Sequence, residues 1–311
     1  MSDNVIFLLG PTAAGKTALA CALSDQLALD IVSVDSALVY RDMNIGTAKP
    51  DSATLIRYPH RLIDLISPAE SYSAAEFRRD ALAAISASHA AGRTPILVGG
   101  TMMYVKALRE GLSELPTANP IIRGRIEAKA AENGWPALHL DLAKVDTVTA
   151  ARLSPNDGQR IQRALEVYEV TGTPLSALQQ RHAVANPFPY QAHVLLLLPS
   201  DRAALHQRIH TRFEAMIAAG LVDELRGIRA RYDVNADMPS MRAVGYRQAW
   251  QLLQSEITKS EFLTQGVIAT RQLAKRQMTW MRSMTQAQTF DCLDAAADQK
   301  ITAHIQAILK H

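Results

Sequence analysis

Val5-Ile-Phe-Leu-Leu-Gly10-Pro-Thr-Ala-Ala-Gly15-Lys16-Thr17 decides the fold. Its first residues, Val5–Leu9, form an unbroken apolar run, the pattern of a strand buried on both faces. Gly10 to Thr17 complete G-x-x-x-x-G-K-[ST], and a helical pattern runs on from Lys16 to about Ala28. Strand, glycine-rich turn and helix together are the context a phosphate-binding loop requires. Glycines let the backbone curl so that successive N–H groups point inward, and the helix start adds partial positive charge. Lys16 supplies a compact charge and Thr17 a hydroxyl suited to Mg²⁺. Gly10, Pro11, Thr12, Ala13, Ala14, Gly15, Lys16 and Thr17 are therefore the candidate phosphate-binding residues. The loop selects a diphosphate or triphosphate and is silent on what that group carries.

Outward from this stretch, strand-length runs recur at Ile31–Val34, Leu62–Ile66, Pro95–Val98 and His193–Leu198. Helical patterns separate them at Ala74–Ala91 and Met102–Glu110. Alternation of this kind predicts an α/β, P-loop NTPase-like parallel sheet. The pattern changes near Pro116. From about Pro120 to Arg181 only helices are expected, with Pro136 in a first turn and Asn156 or Asp157 capping a helix that runs to about Val170. Gly172-Thr-Pro174 breaks the chain, and Asn186-Pro-Phe-Pro189 returns it to the strand at His193. The expected organisation is a core of residues 1–115 and 188–311 with a helical insertion domain at 116–187. The C-terminal region is expected to be helical, with a long helix from about Ser260 to Thr285.

The 311 residues are 48% hydrophobic and 20% charged, enough apolar content for a buried core. The net charge of +3 is unevenly spread: Val267 to Gln288 holds Arg271, Lys275, Arg276 and Arg282 and no acid. Such a stretch is either a solvated face or a polyanion contact. Arg271, Lys275 and Arg282 share one helix face, because offsets of 4 and 11 are close to whole turns. Leu273, Trp280 and Met284 are expected to face inward. The two cysteines, Cys21 and Cys292, have no metal-ligand spacing, and His60, His139, His193, His206 and His210 show none either. The N-terminal apolar run is too short for a secretion signal and no run has membrane-span length, so a cytoplasmic protein with no membrane partner is expected.

Asp35 ends the run Ile31–Val34, at the strand edge where ligands bind in open α/β sheets. It is a candidate Mg²⁺ ligand, or a general base beside the phosphates. Pro95-Ile-Leu-Val-Gly99-Gly100-Thr101 ends in glycines and a hydroxyl where many NTPases carry an acid, which weakens an ATP-hydrolysing reading.

A larger set of motifs then lines up. Beside the phosphate loop stand Val34-Asp-Ser-Ala-Leu-Val-Tyr40, Asn44-Ile-Gly-Thr-Ala-Lys-Pro50, Pro59-His-Arg-Leu-Ile-Asp64, Tyr72-Ser-Ala-Ala-Glu-Phe77 and Leu97-Val-Gly-Gly-Thr101. Pro155-Asn-Asp157, Gln159-Arg160, Arg163-Ala-Leu-Glu166, Arg242-Ala-Val-Gly-Tyr-Arg247 and Thr270-Arg-Gln-Leu-Ala-Lys-Arg-Gln277 follow. In this order, from about residue 5 to 285, they resemble the bacterial tRNA dimethylallyltransferase family. The resemblance implies that the loop, with Thr12 to Thr17, holds the diphosphate of dimethylallyl diphosphate. It implies Asp35 as the general base on N6 of the adenine 3′-adjacent to the anticodon, in tRNAs reading codons that begin with U, with Lys16 and Thr101 also at the catalytic centre. It implies RNA contacts from Asp35, Ser36, Ala37, Leu38, Thr101, Arg123, Gln159, Arg160, Ile161, Gln162, Arg163, Arg242, Ala243, Val244, Gly245, Tyr246 and Arg247, and from part of Lys275 to Arg282, where Lys275, Arg276 and Arg282 are the candidates. The basic helix face adds Arg271. Mg²⁺ on Thr17 is the expected cofactor. The expected partners are dimethylallyl diphosphate and the tRNA anticodon stem-loop, met by a monomer. Eukaryotic members carry a zinc finger for which this sequence lacks the cysteines.

The same residues suit the chemistry. A carboxylate accepting a proton from the poorly nucleophilic adenine N6 gives about 10²–10⁴-fold, and loop amides with Lys16 stabilise a departing diphosphate. Arg242 and Arg247 can grip phosphate, and Tyr246 can stack on a base. The alternatives are a P-loop small-molecule or nucleotide kinase using ATP, and an isopentenyltransferase acting on free AMP. Neither accounts for both the helical insertion and the basic C-terminal helix.

Overall fold

The fold is taken from a computed structural model that describes residues 3–111, 115–182 and 187–310. Asn186, in the expected second linker, lies outside the described residues. The chain divides into two compact units, Met1–Leu108 with Pro189–His311, and Arg109–Phe188. The first division falls before Pro116, inside a helix.

The first unit begins β1 (Asn4–Leu9), α1 (Lys16–Ser24), β2 (Leu29–Val34), α2 (Ser52–Arg57), β3 (His60–Arg61), α3 (Ala74–Ala90), β4 (Thr94–Gly99) and α4 (Met102–Glu110). The second unit follows with α5 (Pro120–Asn133), α6 (Trp135–Val145), α7 (Thr147–Arg152), α8 (Gly158–Thr171) and α9 (Leu175–His182). The first unit resumes as β5 (Gln191–Leu198), α10 (Arg202–Ala218), α11 (Leu221–Arg231), α12 (Tyr246–Leu253), α13 (Lys259–Arg282), β6 (Gln288–Asp291) and α14 (Ala297–Leu309).

The six strands form one sheet of order β3-β2-β4-β1-β5-β6, with every pairing parallel. β1 is buried along its whole length between β4 and β5, which is why its sequence is continuously apolar. Ile6 and Leu8 of β1, Ile31 of β2, Ile96 of β4 and Leu195 of β5 share a core with Leu19 and Leu23 of α1 and Ile301 and Ile305 of α14. A second core joins α10 to α13 around Phe213, Leu225, Tyr246, Phe262 and Met278. The order of strands changes direction at β1, which makes the end of β1 the switch point where α/β sheets bind ligands.

Two expectations fail here. Leu62–Ile66 is not a strand. Leu62 and Asp64 take positive φ values of 63° and 54°. The N–H groups of Asp64, Leu65 and Ile66 donate to Leu38 and Val39 carbonyls instead of joining the sheet. Only His60 and Arg61, just before the apolar run, pair with β2. The C-terminal region is not all helix either, since β6 adds an edge strand to β5.

The second unit is wholly helical among its described residues. Its core contains Ile126, Leu138, Leu142, Ile161, Val167 and Leu175. Pro136 sits in the first turn of α6, and Asp157 precedes α8 without a side-chain cap bond. Buried Asp146 caps α7 through Thr149 and accepts from the N–H and hydroxyl of Ser176, tying α7 to α9. Glu166 is fully buried on α8, accepting from Arg123 at 3.0 Å, Arg163 at 2.7 Å and the Asn119 N–H at 2.7 Å. Burial opposes its ionisation, but these donors outweigh it and hold the carboxyl below its usual range. Glu166→Ala would remove the carboxylate partner of Arg123 and Arg163, although Arg163 keeps the Pro116 carbonyl. It would also leave the Asn119 N–H without its acceptor, and the loss should cost about 2 kcal/mol. Urea unfolding followed by helical circular dichroism measures this, and a loss below about 1 kcal/mol would assign the cluster to the solvated surface.

Candidate active site

Three strand ends meet at the carboxyl edge of the sheet. After β1, the Gly10 N–H donates to the Gly99 carbonyl at 3.3 Å. After β4, the N–H groups of Gly100 and Thr101 both donate to the Val34 carbonyl of β2, each at 3.2 Å. A β-carbon at Gly99 would lie 2.0 Å from that Val34 oxygen, so the approach requires glycine. The phosphate loop, Asp35 and the Gly99–Gly100 turn are thereby held side by side.

The loop is stitched to α13. Gln277 accepts from the Thr12 N–H at 2.9 Å and donates to the Gly100 carbonyl at 3.0 Å. The Thr12 N–H, expected to face phosphate, is thus already engaged. Lys16 donates to the Pro11 carbonyl at 2.8 Å. Burial lowers the Lys16 pKa to about 8, with nearby Arg212 pushing the same way and Asp35 opposing both. The Thr17 hydroxyl lines the cavity and has no partner among the described residues. No cluster of three His, Cys, Asp or Glu side chains suited to a metal occurs among the described residues.

Asp35 accepts from the Ala37 N–H at 2.8 Å through one carboxylate oxygen. Thr101 accepts from the Ser36 N–H at 3.0 Å. This contact fixes the turn that carries Asp35. The cavity, of about 360 Å³, has the phosphate loop, Lys16 and Thr17 on one side and Asp35, Ala37 and Leu38 on another. Gly46, Thr47 and Ala48 form a third wall. Ile209, Phe213, Met216, Val244 and Leu273 give it an apolar side. Arg212 of α10 lines the same cavity. Burial lowers its pKa, opposed by Asp35, and among the described residues it makes no direct hydrogen bond or ion pair.

Comparison with known proteins fits this arrangement. Residues 38–284 match the IPP transferase family. The chain is 55% identical over 304 residues to the tRNA dimethylallyltransferase of Dechloromonas aromatica, covering 98% of this chain and 96% of that relative. It is 56% identical over 296 residues to the tRNA dimethylallyltransferase of Bordetella pertussis, covering 94% of this chain and 95% of the relative. The chain belongs to the IPP transferase family. Among solved structures, the full-length tRNA isopentenylpyrophosphate transferase of Bacillus halodurans superimposes with a TM-score of 0.73 at 33% identity, covering 99% of this chain and 97% of that one. A eukaryotic dimethylallyltransferase acting on tRNA shares the fold, with a TM-score of 0.83 at 24% identity over 99% of this chain and 80% of that one.

Within this IPP transferase chain, the residues expected to touch RNA separate into two kinds. Arg242 and Arg247 are exposed and line a cavity of about 720 Å³ beside Trp250. Ala243 and Val244 line the first cavity. Tyr246 and Gly245 are buried, and the Tyr246 hydroxyl donates to Glu224 at 2.5 Å, so this ring packs the core and cannot stack on a base. On α8, Gln159 and Arg160 are exposed, with Arg160 paired to Asp157. Ile161 is fully buried in the core of the second unit and is corrected to a packing residue. Gln162 donates to Glu127 and the Arg123 carbonyl, and Arg123 and Arg163 are committed to Glu166.

Arg271, Lys275 and Arg282 line one cavity of about 310 Å³ together with Arg202 and His206. No acid pairs with these three or with Arg276 among the described residues. The inward residues of α13 are Val267, Ala274, Met278 and Met281, whereas Trp280 is 44% exposed, contrary to expectation. The sequence reading missed Arg212, which carries no motif, and Gln277, whose motif was recognised without its role.

A lowered Lys16 pKa makes anion binding depend on pH. Bound diphosphate raises that pKa, so affinity is complete below about pH 8 and falls above it as the free lysine loses its proton. Calorimetric titration with inorganic diphosphate from about pH 7 to about pH 9 measures the decline. Lys16→Arg, which stays charged, should remove that part of the dependence. Equal profiles for the two proteins would contradict it.

Proposed function

We propose that the protein transfers a dimethylallyl group from dimethylallyl diphosphate to N6 of the adenine 3′-adjacent to the anticodon, in tRNAs reading codons that begin with U, and releases diphosphate. One observation carries this reading. A single cavity combines a phosphate loop with two desolvated cations, a carboxylate across from them, and an apolar wall. The N6 lone pair forms a bond to the allylic carbon while the bond from that carbon to the bridging oxygen breaks. The electron pair leaves with diphosphate, and the N6 proton passes to Asp35.

Lys16, Arg212 and the loop backbone meet the charge that grows on the diphosphate, and the burial of both cations strengthens their effect. Thr101 stands beside the turn that carries the carboxylate. It holds the Ser36 N–H and so aims the carboxylate. Thr17 is the fitting residue for Mg²⁺, since its hydroxyl has no partner among the described residues, and the ion would supply charge neutralisation of the diphosphate. The apolar wall from Phe213, Met216, Val244 and Leu273 suits a hydrocarbon and explains why a phosphate loop here need not imply ATP.

The unpaired cations of α13, with Arg242 and Arg247, are suited to RNA phosphates. The protein works as a cytoplasmic monomer on the anticodon stem-loop in this reading.

Incubation with dimethylallyl diphosphate, Mg²⁺ and unmodified tRNA, followed by nucleoside mass analysis, is the direct test. Wild-type protein should yield N6-isopentenyladenosine, and ADP formation from ATP without prenylation would favour the kinase. Asp35→Asn keeps shape but cannot take the proton, so single-turnover transfer should fall about 10²-fold or more with tRNA binding little changed.

Neutralising Arg271, Lys275 and Arg282 together should weaken tRNA binding and flatten the log–log salt slope by roughly two units, leaving diphosphate binding intact. A thermal melt excludes unfolding, and an unchanged slope in a folded variant would leave this face merely solvated.

A further inference from the structure

The loop Asn44-Ile-Gly-Thr-Ala-Lys-Pro50 has no strand or helix of its own, yet Gly46, Thr47 and Ala48 form one wall of the first cavity. Its shape is imposed from two sides. At its far end Lys49 donates to Asp64 at 2.5 Å and to the Tyr40 carbonyl at 2.8 Å. At its near end three successive N–H groups converge on Glu224 of α11. Asn44 and Ile45 donate to one carboxylate oxygen at 2.9 and 2.8 Å, and Gly46 donates to the other at 3.2 Å. Such a run of amides is an anion nest, and here the anion is a side chain of the protein itself.

The same carboxylate accepts from the Tyr246 hydroxyl at 2.5 Å. Tyr246 begins α12, with Gly245 separating it from Ala243 and Val244, which form another wall of the cavity. Burial, with Glu224 beside it, pushes the Tyr246 phenol upward, so it remains a donor throughout the working pH range. One side chain therefore ties together two walls that are remote in sequence. The join is close-packed, because a β-carbon at Gly46 would fall 2.5 Å from the Tyr246 ring and 2.6 Å from Leu221. While the clamp holds, neither wall can recede. The phosphate loop is built separately, by Lys16 on Pro11 and Gln277 on Thr12.

We infer that Glu224 is a positioning residue for prenyl transfer, whose carboxylate sets the distance between the Gly46–Ala48 and Ala243–Val244 walls and thereby limits the length of allylic chain the cavity accepts. This rests on the prenyl-transfer reading of the cavity. Glutamine at this position presents one acceptor oxygen and an NH₂ group that opposes N–H donors, so the clamp is half lost while the volume is kept. A displacement of about 1 Å in such a wall is enough to cost about 10²-fold in a step that depends on alignment.

The test uses the full chain, comparing wild type, Glu224→Gln and Tyr246→Phe. Single-turnover transfer to an anticodon stem-loop is measured with dimethylallyl and with geranyl diphosphate, and inorganic diphosphate binding is measured by calorimetry. Glu224→Gln should lower dimethylallyl transfer by about 10²-fold, raise the geranyl-to-dimethylallyl ratio, and leave diphosphate affinity unchanged. Tyr246→Phe keeps the carboxylate and should move the same ratio less, and it carries the test if the glutamine variant does not fold. Folded variants with wild-type rate and ratio overturn the inference. Loss of diphosphate affinity in step with transfer also overturns it, by showing general loosening. Absence of transfer by wild type itself refutes the prenyl-transfer reading, a result separate from any change among the variants.

Discussion

The carbonyl oxygen of Val34 receives two N–H groups from the turn after β4 and leaves no room for a β-carbon at Gly99. This close contact of two strand ends sets the geometry of the site. It brings the carboxylate-bearing turn after β2 against the Gly99–Gly100 turn, which in turn receives the phosphate loop through Gly10. Thr101 and Gln277 then act as cross-links between parts already adjacent. Side-chain chemistry is laid over a backbone arrangement that tolerates almost no displacement.

Over that frame lies an electrostatic conflict. Lys16 and Arg212 are both desolvated, and Arg212 further disfavours the charge of Lys16, while Asp35 favours both. The cavity side chains thus carry more positive charge than one carboxylate balances. An incoming diphosphate resolves the imbalance, and departing diphosphate keeps it resolved as negative charge gathers on the bridging oxygen. Two cations held beside a single carboxylate favour a multiply charged anion.

What the sequence made legible followed from contiguity. The phosphate loop declares itself because strand, turn and helix adjoin in one stretch, and Asp35 because it ends an apolar run. The helical second unit was visible in its loss of strand-length runs, and α13 in its charge spacing. Arg212 was not, since it sits midway along α10 and gains its meaning only from the cavity it faces. Tyr246 misled for the opposite reason. Flanked by arginines that are exposed, it reads as a surface aromatic, but its register on α12 turns it into the core. Ile161 among polar neighbours is the same case on α8. The run at Leu62–Ile66 has strand composition, yet its hydrogen bonds go to the Leu38–Val39 turn, a long-range preference that composition does not encode. β6, polar and four residues long, lacks the apolar signal of a buried strand because it lies at the sheet edge.

The position of the second unit within the chain has a consequence for biosynthesis. β1 is paired on one side with β4 and on the other with β5, in a register that runs from Asn4 with Gln191 to Leu9 with Leu196. The residues of the whole helical unit are therefore translated before β1 can acquire its second neighbour. That unit is built of helices around a core of its own and can begin to form as it leaves the ribosome. Until β5 follows, the most apolar strand of the sheet has an open flank, with unpaired amides available to other nascent chains. The slow passage for the growing polypeptide is the interval between β4 and β5, and it is there that a ribosome-associated chaperone would have the most to protect.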